Sequence, residues 1–98
     1  LVLEQGTPGE VYNIGAGNEL TNLELTDRLL QLTGRDDSFI EPVEDRLGHD
    51  RRYSVNVDKM KALGWSLDRS FDDSLESTVE WYRDNRAWWE PLKAKAGL

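Results

Sequence analysis

Between positions 45 and 53 the chain places Asp45, Arg46, His49, Asp50, Arg51 and Arg52 around a single glycine, Gly48. A guanidinium is a planar fork of donors that matches phosphate oxygens. Gly48 has no side chain, so the backbone there can come close to a ligand and offer its amides. The combination suits a diphosphate. His49, the sole histidine, can donate to a phosphate or ribose oxygen, and Asp45 and Asp50 can hold the arginines or accept from sugar hydroxyls. The same residues also compose an exposed loop that neutralises itself, with two acids against three arginines, and most surface charge pairs contribute little. Residue chemistry alone leaves both readings open.

No other set of residues competes as a reactive centre. One histidine, no cysteine and acids scattered along helical stretches give no metal-ligand spacing. No serine sits in a nucleophile elbow, which removes Ser-His-Asp catalysis. Asp72 and Asp73 stand at an expected helix start and answer its dipole. Trp65, Trp81, Trp88 and Trp89 can stack on a base, but aromatic residues near helix ends of a small domain more often finish its core or dock on a partner domain. The Trp88-Trp89 pair is hard to bury in so short a chain and reads as a surface that another part of the protein covers. Asn22 follows an expected helix cap at Thr21, where a side-chain amide beside free backbone amides can meet an anion or a ribose. A solvent-facing polar position explains it equally well.

The elements that must carry these residues can be read from local patterns. Apolar and polar residues alternate over 10–14, after the turn cluster Gly6-Thr7-Pro8-Gly9, and this predicts a first strand. Thr21 with Glu24 forms a capping box for a helix carrying Leu25, Leu29, Leu30 and Leu32, with Gly34 as its left-handed cap. Its apolar face is expected to lie on a sheet. Residues 39–43 predict a second short strand, placed at an edge by Pro42. Residues 53–57 alternate again, and Asn56 can cap a short helix over 57–63 that Gly64 stops and on which Trp65 folds back. Ser70 with Asp73 caps a helix over 71–85, with Phe71, Leu75, Val79 and Tyr82 along one face. Pro91 then limits the tail to a short helical turn. The sum is a small α+β unit, mostly helical with two or three short strands, and no complete Rossmann sheet. Gly15-Ala16-Gly17 begins a dinucleotide fingerprint but lacks its third glycine.

Composition bounds the function. Ninety-eight residues form one small domain spanning 1–98, and chains of this size bury only about two-thirds of their unfolded surface. Nineteen acids against twelve bases leave a net charge of −7, which repels a nucleic-acid backbone. No apolar run reaches membrane-spanning length. The absence of cysteine fits a reducing cytoplasm. Leu1-Val2-Leu3 is too short and lacks the basic flank of a signal peptide, and the pattern begins without a methionine, so the chain reads as a piece of a longer protein.

Several segments taken together resemble the C-terminal region of dTDP-glucose 4,6-dehydratases, members of the extended short-chain dehydrogenase/reductases. They are Gly9-Glu10-Val11-Tyr12-Asn13-Ile14-Gly15, Thr21-Asn22-Leu23-Glu24, Asp45-Arg46-Leu47-Gly48-His49-Asp50-Arg51-Arg52-Tyr53, Leu63-Gly64-Trp65 and Thr78-Val79-Glu80-Trp81-Tyr82. The Gly-His-Asp-Arg-Arg-Tyr run discriminates best, while the Asn-Ile-Gly and Leu-Gly-Trp pieces mark only the superfamily. The resemblance implies a substrate-binding subdomain that closes over a dTDP-sugar, beside an N-terminal Rossmann domain that holds NAD. It implies oxidation at C4 of dTDP-glucose, loss of water across C5 and C6, and hydride return to C6, giving the 4-keto-6-deoxy sugar of rhamnose and other deoxysugar routes. It implies a homodimer when full length. Nucleotide contacts carry over onto Asn22, Asp45, Arg46, Leu47, Gly48 and His49, with Arg46 on the diphosphate. Leu47 departs from the family, which usually has proline there. The glycine-rich cofactor loop, the Tyr-x-x-x-Lys pair and the acidic dehydration residues have no counterpart in these 98 residues, so this segment is not expected to catalyse alone. The alternatives are the C-terminal part of a UDP-sugar epimerase or decarboxylase, or a non-enzymatic interaction module docking through Trp88 and Trp89.

Overall fold

The structure, a computed structural model, describes residues 1–97. In chain order the described residues form α1 (Val2–Gln5), α2 (Asn22–Thr33), a 3-10 turn (Asp37–Phe39), α3 (Asp58–Ala62), α4 (Phe71–Asp84) and α5 (Arg86–Ala96). The chain divides into two compact units, one of Leu1–Thr21 with Glu41–Asp68, the other of Asn22–Ile40 with Arg69–Leu98.

In the helical unit α2 and α4 begin where the sequence places them. α2 starts immediately after Thr21. It ends at Gly34, whose φ of +65° lets the Arg35 amide reach back to the Leu30 carbonyl at 2.9 Å. α4 opens on Ser70, whose hydroxyl accepts from the Asp73 amide at 3.1 Å and donates to the Asp73 carboxylate at 2.6 Å. α2 packs on α4 rather than on a sheet, with Leu32 of α2 lining one groove together with Leu75 of α4. An Arg28–Asp72 ion pair and a bond from Arg83 to the Leu32 carbonyl at 3.3 Å join the two helices. α5 returns along α4, fixed by the Trp89 indole donating to the Tyr82 carbonyl at 2.7 Å and by Trp81 meeting Trp88 edge-on at 5.2 Å. It also runs through Pro91, where sequence predicted only a short turn. The proline lacks an amide and so removes one helical bond, but five further residues continue the helix to a left-handed cap at Gly97.

The other unit is held by α3 and the segments around it. Asn56 accepts from the Asp58 amide at 2.8 Å and so starts α3. Gly64, at φ +91°, turns the chain so that the Trp65 amide bonds the Met60 carbonyl at 3.2 Å. Among the described residues Met60 is the buried apolar one, at 2% exposure. Lys59 pairs with Glu10 and lies 4.8 Å from the centre of the Tyr12 ring, while the Tyr12 hydroxyl accepts from the Thr7 amide at 2.9 Å. Gly15 approaches Val55 so closely that a side chain there would sit 3.0 Å from a Val55 methyl.

The α+β expectation is overturned: among the described residues there is no strand, and the fold is helical. Alternation of apolar and polar residues specifies a strand only if a partner satisfies its row of backbone groups and covers its apolar face. Neither condition is met for 10–14 or 39–43. Val11 and Val43 are 76% and 83% exposed. Phe39 instead closes the 3-10 turn, which Asp36 caps by accepting from the Ser38 amide at 3.0 Å. Residues 53–57 likewise form no strand before α3 begins.

Candidate functional site

The glycine-centred loop is built by its first residue. The Asp45 carboxylate accepts from the Arg46 amide at 2.8 Å and meets the His49 Nδ1 at 2.7 Å. The carboxylate has no proton to give, so Nδ1 is the protonated nitrogen. The His49 bond first, then the Arg46 amide, hold the Asp45 carboxyl below its ordinary value of 3.8. The His49 amide returns to the Arg46 carbonyl at 3.2 Å and closes the turn Arg46-Leu47-Gly48-His49. Gly48, third in that turn, has φ +72°. Positive φ at the third position is the demand of a type II turn, and the second position is the one proline favours. Leu47 occupies that second position, fully exposed at 103%.

Asp50, Arg52, Tyr53 and Ser54 are engaged elsewhere. Arg52 donates to Glu19 at 2.9 Å and to Ser54 at 3.3 Å, and Ser54 donates to the same Glu19 oxygen at 2.5 Å. Ser54 first, then Arg52, lower the Glu19 carboxyl. The Tyr53 hydroxyl donates to Asp50 at 2.8 Å, and that acceptor raises the Tyr53 phenol above its usual value. Arg46, like Arg51, has no ion pair among the described residues. The turn therefore offers one unpaired guanidinium, a glycine backbone open to approach and an imidazole held by its Nδ1. The guanidinium and the backbone amides are donors for an anion, while the imidazole, its Nδ1 proton given to Asp45, leaves Nε2 as an acceptor. No cluster of three or more His, Asp or Glu that can hold a metal occurs among the described residues.

Five of the six residues expected to contact the nucleotide, Asp45 through His49, thus belong to one turn of one unit. Asn22 is the first residue of α2 in the other unit, exposed, with its carbonyl accepting from the Thr26 hydroxyl at 2.8 Å.

A dTDP-glucose 4,6-dehydratase from Streptomyces antibioticus is 52% identical to this chain over 96 residues, 97% of the chain and 29% of that protein. The chain matches the C-terminal region of the dTDP-glucose 4,6-dehydratases. Another dTDP-glucose 4,6-dehydratase, from Streptomyces niveus, is 55% identical over 95 residues, 96% of the chain and 28% of the relative. The crystal structure of the dTDP-glucose 4,6-dehydratase from Streptomyces venezuelae, solved with NAD and a second ligand, superposes with a TM-score of 0.90 at 54% identity. The match covers 94% of this chain and 29% of that one. No protein-family model matches the sequence. The chain thus spans less than a third of the length of the dehydratases it matches.

Glu19 is the participant that sequence reading passed over. It lies 33 positions before Arg52, in a stretch with no periodic signal, and no local spacing rule connects the two. Tyr53 was noted only as part of a run, although a phenol three residues after an aspartate is a short-range pairing that can be anticipated.

Proposed function

We propose that this chain is the dTDP-sugar-binding part of a dTDP-glucose 4,6-dehydratase, an enzyme converting dTDP-glucose to dTDP-4-keto-6-deoxyglucose in deoxysugar biosynthesis. Residues 1–98 act as its C-terminal nucleotide-sugar-binding subdomain. The observation that carries the reading is the Asp45–His49 turn: a self-ordered anion cradle with an unpaired Arg46, in a chain that matches these dehydratases over nearly its whole length. Arg46 binds the diphosphate, Gly48 lets the backbone approach it, and His49 accepts from a ribose hydroxyl at Nε2. Asp45 fixes the His49 ring, Leu47 covers the nucleotide, and Asn22 adds a polar contact.

A related enzyme binds a dTDP-sugar together with NAD. In the whole protein NAD is held by a Rossmann domain outside this segment, and it takes and returns the hydride. This chain's residues hold the nucleotide, and the segment alone is inactive. The enzyme is cytoplasmic and homodimeric. Among the described residues no helix is long and apolar enough to cross a membrane.

The test is a chimera in which this chain replaces the matched 29% of the Streptomyces venezuelae enzyme. Turnover of dTDP-glucose, a rise in KM of about tenfold or more for Arg46→Ala, and poor use of UDP-glucose are expected, since one charged hydrogen bond is worth about 1.5–3 kcal/mol. A chimera that prefers UDP-glucose, or that is indifferent to Arg46→Ala, refutes the assignment.

A further inference from the structure

A second basic site lies in the helical unit, apart from the loop at 45–49. A groove of about 640 Å³ runs between α2, α4 and α5, and its lining joins the apolar Leu29, Val79 and Trp89 with Arg35, Arg83 and Arg86. That volume falls within the roughly 300–1,000 Å³ of small-molecule sites.

The chain is acidic, with a net charge of −7, yet three guanidiniums share this one groove. Their neighbours leave most of their donors unused. Arg83 gives one bond to the Leu32 carbonyl at 3.3 Å. Arg35 rests over the Phe39 ring at 4.8 Å. Arg86 alone meets a carboxylate, Glu90, through its Nε at 2.8 Å, and it also lies 5.9 Å from the centre of the Trp89 ring. Arg86 moreover opens α5, the end of a helix at which a cation is unfavourable. Helix stability does not explain gathering like charges around apolar side chains, whereas a ligand with an anionic head and an apolar body does.

We propose that the α2–α4–α5 groove binds a small organic anion, its carboxylate, sulfonate or phosphate on Arg83 and Arg86 and its aromatic or branched body against Leu29, Val79 and Trp89. The inference stands independently of the nucleotide reading of the 45–49 turn.

The experiment is a heteronuclear NMR titration of the 98-residue chain with naphthalene-2-sulfonate, with neutral 2-naphthalenemethanol and inorganic sulfate in parallel. Saturable shifts are expected at the Trp89 indole and at residues 79–86. Arg83→Gln and Arg86→Gln should each weaken binding by about tenfold, the worth of one charged hydrogen bond, while Arg69→Gln leaves it unchanged. Circular dichroism checks that each variant is folded. Should a glutamine variant unfold, the unaltered chain still decides, because affinity for the sulfonate must fall as salt rises. Equal binding of the neutral alcohol or of sulfate, salt-independent affinity, or folded glutamine variants that bind as before would each overturn the proposal.

Discussion

Leu47 is where one substitution can separate the geometry of the turn from its chemistry. The type II turn asks for φ near −60° at this position, and Leu47 is fully exposed at 103%. Leu47→Pro removes freedom from the unfolded chain without displacing a native contact, so it should stabilise the loop by roughly 0.4–1 kcal/mol. Thermal or denaturant unfolding measures this, and a lower midpoint would show that the turn differs from the one described. Gly48→Ala should act oppositely, costing about 1–2 kcal/mol, since φ is +72° and an L side chain is strained there. Acidity probes the same turn through Asp45. Its carboxyl is lowered on folding, so its contribution is fully present above the ordinary value of 3.8 and is lost as pH falls through the lowered one. The Asp45 side-chain carboxyl resonance should titrate below the ordinary value of 3.8, and a midpoint at or above that value would mean that the His49 ring does not hold the carboxylate. The density of charged residues around Gly48 is legible in the sequence, but the partner of Arg52 depends on where Glu19, 33 positions earlier, falls in space.

Helices and strands differ in how much of their cause is local. Ser70 and Asp73 are three residues apart, and their two bonds start α4 whatever the rest of the chain does. Gly34 and Gly64 likewise end α2 and α3 through bonds to carbonyls a few residues back. For that reason the boundaries of α2, α3 and α4 could be read to within a residue or two from the sequence, whereas α1 had no such signal. The strands could not. An alternating segment such as 10–14 needs a second segment in register, and no pattern within it says whether one exists. Here Glu10 and Tyr12 turn to Lys59 instead. α5 escaped for another reason: a proline signals a break, but a single lost bond is tolerated when Trp89 and Trp88 anchor the helix to α4. If capping is local in this sense, Ser70→Ala should destabilise α4 by about 1 kcal/mol. The loss should appear as faster amide exchange at Ser74 and earlier, and Ser70→Asn should restore it. Uniform loosening of α4 and α5 together would place the anchoring in tertiary packing instead.

At the scale of the whole chain the dominant fact is how little is enclosed. Met60 is at 2% exposure, while Val11, Ile14, Val43 and Tyr53 are each more than 60% exposed. Aromatic and aliphatic groups left in water contribute little to folding, so the unit around α3 depends on Met60 and on polar ties such as Lys59–Glu10. Lys59 lowers the Glu10 carboxyl, so this tie too is present above its ordinary value of 4.5 and fades in acid. Removing a buried methionine side chain costs about 2–5 kcal/mol, and small domains hold only about 5–15 kcal/mol in total. Met60→Ala should therefore abolish exchange protection at the Gly64 and Trp65 amides, whose carbonyl partners belong to α3. It should also shift Trp65 emission toward that of a solvated indole. Met60→Leu keeps the apolar volume and should keep both signals, because volume-conserving swaps cost under about 1.5 kcal/mol. Protection that survives Met60→Ala would mean that the polar ties alone hold this unit, and that the loop at 45–49 does not rely on a packed core for its shape.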